Sequence, residues 1–357
     1  MTALALFSGG CDSLISMKLL TQQGIKVIAL HFNIGFGGNK NKLQYLQNAA
    51  TQVGAELLVC DIQEQFFNEV LFSPKYGYGK YFNPCIDCHA NMFAHAFYKL
   101  VELKADFVIS GEVLGQRPKS QRKESLDQVK KLVREVGKNP LFKSILDSSG
   151  THSSKPQFLD ELLLRPMSAK LLEPSFPEKI GWIDREKLLD ISGRGRTRQL
   201  EMVKLWGWKY YENPGGGCLL TDLSVANKLK DLSAHRKMIV QDTILVKIGR
   251  YMILPNGARC VIGRNEEENT KLKNPNPKME IIELLENIGP VAVVEKSASM
   301  DDKILAARIA LGYGKSQTNT TEKAQAKQAK KVKIGEQIVE VLPYDKEKAR
   351  EFLFFKS

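Results

Sequence analysis

The chain has 357 residues, 43% hydrophobic and 26% charged, which is room for two or three domains with real cores. No run approaches the roughly 20 uninterrupted apolar residues that cross a bilayer. No basic stretch followed by a long apolar one opens the chain, so neither a membrane span nor a secretory leader is expected, and the cytoplasm is. The formal charge of +12 favours a polyanionic partner such as nucleic acid, because Lys and Arg release counterions from phosphate; a mild basic excess without meaning is the alternative.

Ala3–Phe7 predicts a strand, followed by the turn Ser8-Gly9-Gly10-Cys11-Asp12-Ser13. Leu14, Ile15, Met17, Leu19 and Leu20 then recur at a helical period over 12–23, and Gly24 ends that helix. Further strands are expected at Lys26–Phe32, Ala55–Cys60, Phe107–Ser110 and Glu161–Arg165, with a helix over 88–104. Strands alternating with helices predict an α/β fold with a doubly wound parallel sheet over residues 1–170. The loops after Phe7, Phe32 and Ser110 should converge at its carboxyl edge. The polar, basic stretch 115–156 reads as a mobile or inserted segment over that edge.

Residues 171–233 read as a helical connector carrying Cys218, with helices over 184–189 and 197–206 and with Trp182, Trp206 and Trp208 in its core. Residues 234–357 read as an α+β domain. Its expected strands are Thr243–Ile248, Arg250–Leu254 and Ala258–Ile262, with a hairpin turn at Pro255-Asn256-Gly257. A helix at Asp301–Tyr313 and a lysine-rich run at Lys323–Lys333 follow.

The turn after the first strand carries the chemistry. Gly9 and Gly10 let backbone amides face an anion, the hydroxyls of Ser8 and Ser13 donate further bonds, and a helix start adds its dipole. Asp12 cannot stabilise phosphate itself; it suits Mg2+ on a leaving pyrophosphate. The alternative is a capped helix start without a ligand. Neither GxxxxGK[ST] nor GxGxxG occurs.

This strand–SGGxDS–helix motif resembles that of the PP-loop (adenine-nucleotide α-hydrolase) superfamily. From Leu4 to about Asp222 the chain is similar to tRNA 2-thiouridylases and to the catalytic domain of 4-thiouridine synthases. Asn83-Pro84-Cys85-Ile86-Asp87-Cys88-His89 resembles their NP-x3-C-N segment. Ile109-Ser110-Gly111-Glu112 stands where they carry a Ser/Thr-Gly-His turn near the adenine nucleotide, with Glu112 in place of His. The resemblance implies ATP and Mg2+ as cofactors, adenylation of a uridine carbonyl oxygen in tRNA, and sulfur from a cysteine desulfurase or sulfide. It places Gly111 near the nucleotide and makes Cys88 and Cys218 the sulfur-transferring pair.

Cys85 and Cys88 open a helix, whose N-terminus favours thiolate, and Cys218 follows the glycine run Pro214–Gly217. Two mechanisms compete: a persulfide relayed through Cys88 or Cys218, or a [4Fe–4S] cluster held by Cys85, Cys88 and Cys218 with one iron open. Zinc on Cys85 and Cys88 would need a further ligand such as His89 or His95. Cys60 and Cys260 read as core, and Cys11 offers the phosphate loop its backbone amide. His31 and His89 lack a carboxylate at recognisable spacing and receive no general-base role.

Arg117, Arg165 and Lys170 bring cations to the strand ends, for the α-phosphate, for RNA, or merely as solvated charge. Arg194 and Arg196, in Gly193–Arg198, suit a tRNA backbone or a basic helix start. In the tail, Ile262-Gly263-Arg264-Asn265 with Asn269, the segment Ile288–Val291 and the following helix resemble the RNA-binding domain of the NFACT family. That likeness implies RNA contacts at Arg264 and Asn265; a hairpin-end turn is the alternative. The combined expectation is ATP-dependent sulfur transfer to tRNA. Its rivals are a PP-loop enzyme adding nitrogen or acting on a small metabolite, and a non-catalytic RNA-binding factor.

Overall fold

The computed structural model describes residues 1–37, 42–148, 156–212, 218–274, 276–314 and 328–355. Two compact units divide at Cys218/Leu219. The stretch 171–233 is therefore split between them, its first part continuing the amino-terminal unit and the Leu223–His235 helix belonging to the other.

Short apolar runs in the first unit form a five-stranded parallel sheet. Its strands are β1 (Thr2–Leu6), β2 (Lys26–Asn33), β3 (Ala55–Asp61), β4 (Phe107–Ser110) and β5 (Leu163–Leu164), in the order β3-β2-β1-β4-β5. All four residues of β4 and the middle three of β1 are buried, as strands covered on both faces require. The register pairs Leu4 with Ile28 on one side and with Val108 on the other. Chain order reverses between β1 and β4, so the loops after these strands lie side by side at the carboxyl edge. Phe93 and Phe97 of the Cys85–Glu102 helix pack fully buried into the core with Leu14, Ile15 and Leu20.

Three expectations change. Only Leu163–Leu164 of the fifth strand pairs, with Val108 and Ile109. Before it, Leu159–Leu162 winds into a 3-10 turn, burying Leu159 and Leu162 on one face while Asp160 binds Arg134 at 2.7 Å. Within 115–156, Lys123–Val136 is a helix packed on Cys85–Glu102 through Leu126, Val129 and Val133; residues 149–155 lie outside the described residues. Its apolar period was present but hidden in polar composition. Trp182 packs edge-on to Phe176 at 5.9 Å, and Trp206 lies 4.8 Å from Trp208, all against the amino-terminal core.

The second unit is built on an antiparallel sheet of β6 (Arg250–Ile253), β7 (Arg259–Ile262), β8 (Met279–Leu284), β9 (Ala292–Glu295), β10 (Lys330–Ile334) and β11 (Gln337–Val341). Its order is β11-β10-β8-β9-β7-β6. The Met300–Tyr313 helix, capped by Ser299, packs on this sheet. Thr243–Ile248, expected as a strand, is a helix over Thr243–Lys247. The turn before it decides this: the Asp242 carboxylate accepts from Ile239 N at 2.9 Å and binds Arg236 at 2.6 Å, winding the chain into the helix. The lysine run lies outside the described residues up to residue 327, and its end enters β10. Among the described residues no helix is long and apolar enough to cross a membrane.

Phe97→Ala should lower the stability of the amino-terminal unit by about 3–5 kcal/mol, because its pocket lies inside a rigid sheet–helix layer. Denaturant unfolding against the parent protein measures this.

Candidate active site

The phosphate loop is shaped by two close approaches. Gly9 takes φ +89°, which L side chains rarely adopt, and an added Cβ would lie 3.0 Å from Leu46. At Gly111, directly after β4, a Cβ would come within 2.5 Å of Ser13 N and 2.7 Å of Asp12 C. Gly111 is therefore the point where β4 meets the backbone of the loop. The Ser13 hydroxyl donates to Gly10 O at 2.8 Å, and Gly10 N donates toward Ser8 Oγ at 3.4 Å. The helix Cys11–Thr21 starts at this turn, where first-turn N–H groups have no intrahelical acceptors.

Asp12 gathers polar groups from distant segments. Gln116 Nε2 donates to it at 2.8 Å, and the Arg196 guanidinium lies 3.6 Å away. Burial pushes its carboxyl upward against the pull of Arg196, Gln199 and Arg117. Asp12 Oδ1 and Gln116 Oε1 are buried without hydrogen-bond partners. Two orphaned oxygens beside a phosphate loop are the donor chemistry a hard divalent cation takes, so these residues fit Mg2+. Arg196 is turned to Asp12, whereas Arg194 is exposed.

The thiols come from two segments. Glu212 N donates to Gly9 O at 2.9 Å, and Cys218 forms an antiparallel bridge with Gly37, just beyond β2. Pro214–Gly217 lie outside the described residues. Cys88 is buried, and its thiol is pushed well above the ordinary value by burial first, then by Cys218, Cys85 and Asp87. The three cysteines thus form one electrostatic neighbourhood. The lowered thiol expected at this helix start is opposed at Cys88 by burial, which pushes it the other way. Asn83 Nδ2 donates to Cys85 Sγ at 3.0 Å.

Among the described residues no three His, Cys, Asp or Glu side chains are arranged to hold a metal ion, so Cys85, Cys88 and Cys218 do not fit an iron–sulfur cluster here. The two histidines named as possible further zinc ligands bond elsewhere through one ring nitrogen, His89 Nδ1 with Glu112 at 2.8 Å and His95 Nε2 with Gln65 at 3.1 Å. Burial pushes the Cys11 thiol up to about 12, in keeping with a role for its backbone alone. Cys260 is buried in the second core, where the same cause gives about 12, and Cys60 packs half-buried against the first.

A buried charge relay was missed by sequence reasoning. Glu112 accepts from His89 Nδ1 at 2.8 Å, from Arg165 Nε at 2.8 Å and from the Ser110 hydroxyl at 3.2 Å. Burial alone would raise its carboxyl; the Arg165 charge and the His89 bond outweigh this and bring it down to about 2. His89 therefore has a carboxylate partner, contributed from the loop after β4 rather than at a sequence spacing. Glu112, standing where the resemblance leads one to expect a His, was the available signal. Arg165, expected to meet phosphate, is buried against Glu112, and Lys170 sits on Glu186 at 2.9 Å. His31 Nδ1 lies 3.0 Å from Phe7 O.

In the second unit the Gly-Arg-Asn pattern is architectural. Asn265 caps the Glu266–Leu272 helix by accepting from Glu268 N at 2.9 Å, and Arg264 pairs with Glu268 at 2.7 Å. Asn269 Oδ1 accepts from Val291 N at 3.0 Å, and a Cβ on Gly263 would lie 2.2 Å from that oxygen.

Residues 1–135 match the family model of the tRNA methyl transferase HUP domain, and residues 249–353 that of the NFACT protein RNA binding domain. The tRNA-specific 2-thiouridylase of Sulfurimonas denitrificans is 32% identical over 113 residues, 30% of this chain and 33% of that protein. Its counterpart in Helicobacter hepaticus is 32% identical over 117 residues, 31% of this chain and 34% of that protein. The chain thus spans about a third of the length of these curated relatives. A solved 4-thiouridine synthetase–RNA complex with bound ATP aligns with TM-score 0.38 and 16% identity, covering 69% of this chain and 52% of that one. The C-terminal part of the fibronectin/fibrinogen-binding protein from Streptococcus suis aligns with TM-score 0.25 and 9% identity, covering 44% and 73%. The amino-terminal unit therefore carries a HUP-type PP-loop domain and the second unit an NFACT-type RNA-binding domain. Cys218 lies outside both matched spans.

Glu112→Gln should lower stability by about 3 kcal/mol at neutral pH, since it leaves Arg165 buried without its counter-charge. The folded carboxyl titrates below its ordinary value of 4.5, so its contribution is complete above that pH and is lost as pH falls toward about 2. The gap between parent and variant in thermal unfolding should narrow over that window. On native protein, peptide mapping after alkylation should find half-buried Cys85 and Cys218 modified before buried Cys11, Cys88 and Cys260.

Proposed function

We propose that this protein is an ATP-dependent tRNA sulfurtransferase that adenylates a uridine carbonyl oxygen and replaces that oxygen with sulfur. The observation that supports this reading is the placement of Cys85 and Cys88 at the start of one helix, with the bridge of Cys218 to Gly37 beyond β2 and the bond from Glu212 N to Gly9 O in the loop after β1.

The uridine carbonyl oxygen attacks the α-phosphorus of ATP over Ser8–Ser13, and the bond to pyrophosphate breaks. Mg2+, held by Asp12 Oδ1 and Gln116 Oε1, would neutralise charge on the departing pyrophosphate. Arg196 faces the same anionic region from the opposite segment. A persulfide, formed when one thiol of Cys85, Cys88 and Cys218 takes the outer sulfur of a donor protein's persulfide and releases the donor's thiol, then attacks the activated carbon, and AMP leaves with the former carbonyl oxygen. A second thiol attacks the sulfur–sulfur bond, which frees the thiouridine and leaves a cysteine disulfide for an external thiol to reduce. Two thiols within reach of each other are what this last step needs. A fixed site contributes mainly proximity, since neither step is fast at random encounter.

The NFACT-type domain supports RNA as the substrate. Arg194, exposed beside Arg196, suits an RNA phosphate. Arg264 and Asn265 would act on RNA through the turn they stabilise, because their side chains are engaged by Glu268.

Mass spectrometry of tRNA nucleosides from cells with and without the gene tests the reading: one thionucleoside should fall, and an unchanged profile removes the proposal. Cys88→Ser and Cys218→Ser should each cut thionucleoside formation at least about a hundredfold while tRNA-dependent pyrophosphate release continues. Full activity with Cys85, Cys88 and Cys218 all replaced by Ser would instead favour nitrogen addition or a small-molecule substrate.

A further inference from the structure

The segment between the Phe66–Leu71 turn and the thiol helix reads Ser-Pro-Lys-Tyr-Gly-Tyr-Gly-Lys-Tyr-Phe, residues 73–82. It alternates aromatic rings with lysines and glycines, and Ser73–Ile86 contains no carboxylate. Two of its rings are structural: Tyr78 lies 4.5 Å from Phe82, and its hydroxyl donates to Leu71 O at 2.8 Å. The other two, Tyr76 and Tyr81, are half-buried, and each carries an exposed lysine beside its face, Lys75 at 5.9 Å and Lys80 at 5.4 Å.

The loop is fixed to the thiol helix at two points. Asp87, between Cys85 and Cys88, accepts from the backbone N–H groups of Lys75 and Tyr76 at 2.8 and 3.1 Å. Asn83 accepts from Tyr81 N at 3.2 Å and donates to Cys85 Sγ. A Cβ on Gly79 would lie 2.3 Å from the Asn83 amide, so that glycine lets the clamp close. From the other side, Lys119 Nζ donates to Tyr76 O at 3.1 Å. Gly115–Lys123, which brings Lys119, also has no carboxylate, and its Arg117, Arg122 and Lys123 are exposed.

We propose that Ser73–Phe82, backed by Gly115–Lys123, is an RNA-binding rim of the amino-terminal unit, distinct from the carboxy-terminal RNA-binding domain. Lys75, Lys80, Arg122 and Lys123 hold phosphates, and Tyr76 or Tyr81 stacks on an unpaired base beside the nucleotide delivered to Cys85 and Cys88. Cations that follow a backbone, with aromatic faces between them, are the chemistry of single-stranded nucleic-acid binding, and a stretch without carboxylates repels no phosphate. The proposal rests on the tRNA reading above and names where that substrate touches the catalytic unit.

The test uses the full chain and bulk tRNA. Ultraviolet cross-linking followed by peptide mass spectrometry should place nucleotide adducts on Tyr76 or Tyr81. Lys75→Ala with Lys80→Ala should lower the dependence of log affinity on log salt by about two, and Lys75→Arg with Lys80→Arg should restore it. Adducts confined to residues 249–353, with an unchanged salt slope in the alanine pair, would overturn the rim. If that result accompanies normal thionucleoside formation, the rim fails and sulfur transfer stands. Loop adducts on a protein that forms no thionucleoside leave the rim standing and remove sulfur transfer.

Discussion

Everything at the site depends on how closely the end of β4 approaches the loop after β1. A Cβ on any residue other than glycine at 111 would lie only 2.5 Å from Ser13 N, so the end of β4 and the start of the Cys11–Thr21 helix meet with no side chain between them. That contact sets the next residue, Glu112, deep in the core, where a carboxylate survives only with counter-charges. Arg165 and His89 supply them, one from beyond β5 and the other from the first turn of the thiol helix. A single glycine contact thereby ties the phosphate loop, through one buried carboxylate, to the element that carries Cys85 and Cys88. A buried ion pair of this kind adds little net stability against an apolar core, but removing one partner is expensive, which makes it a device for position.

The thiol neighbourhood shows which of two opposed effects wins. A helix N-terminus favours an anion by about 0.3–1 kcal/mol, whereas removing a charge from water costs several kcal/mol even after relaxation. Cys88 is buried, and burial first, then the charges of Cys218, Cys85 and Asp87, push its thiol well above the ordinary value. The loop after β1 has the opposite character: Asp12 Oδ1 and Gln116 Oε1 are buried there without hydrogen-bond partners.

The second unit uses its polar pattern to hold backbone in place. Asn265 caps a helix, Asn269 satisfies Val291 N, and Gly263 leaves room for the Asn269 carbonyl. Nearby, Arg236 bridges Asp242 and Glu295, and Arg259 binds Asp231, so the acidic side chains of this region are largely consumed by arginines.

Local sequence determined the parallel sheet, the phosphate turn and the thiol-bearing helix. Each is written in neighbouring residues: apolar runs too short for helices, two glycines at a strand end, and a proline before a helical period. The antiparallel tail was legible from its Gly-Arg-Asn segment and its turn at Asn256-Gly257. Two short elements were misjudged because a carboxylate decided them, Asp160 reaching Arg134 and Asp242 reaching Arg236 and Ile239 N. What only the tertiary structure decided was which charges meet. Glu112 lies 23 residues from His89 and 53 from Arg165, and no periodicity relates groups on different strands and helices. The upward push on the Cys88 thiol belongs to the same class, because burial is a property of packed neighbours.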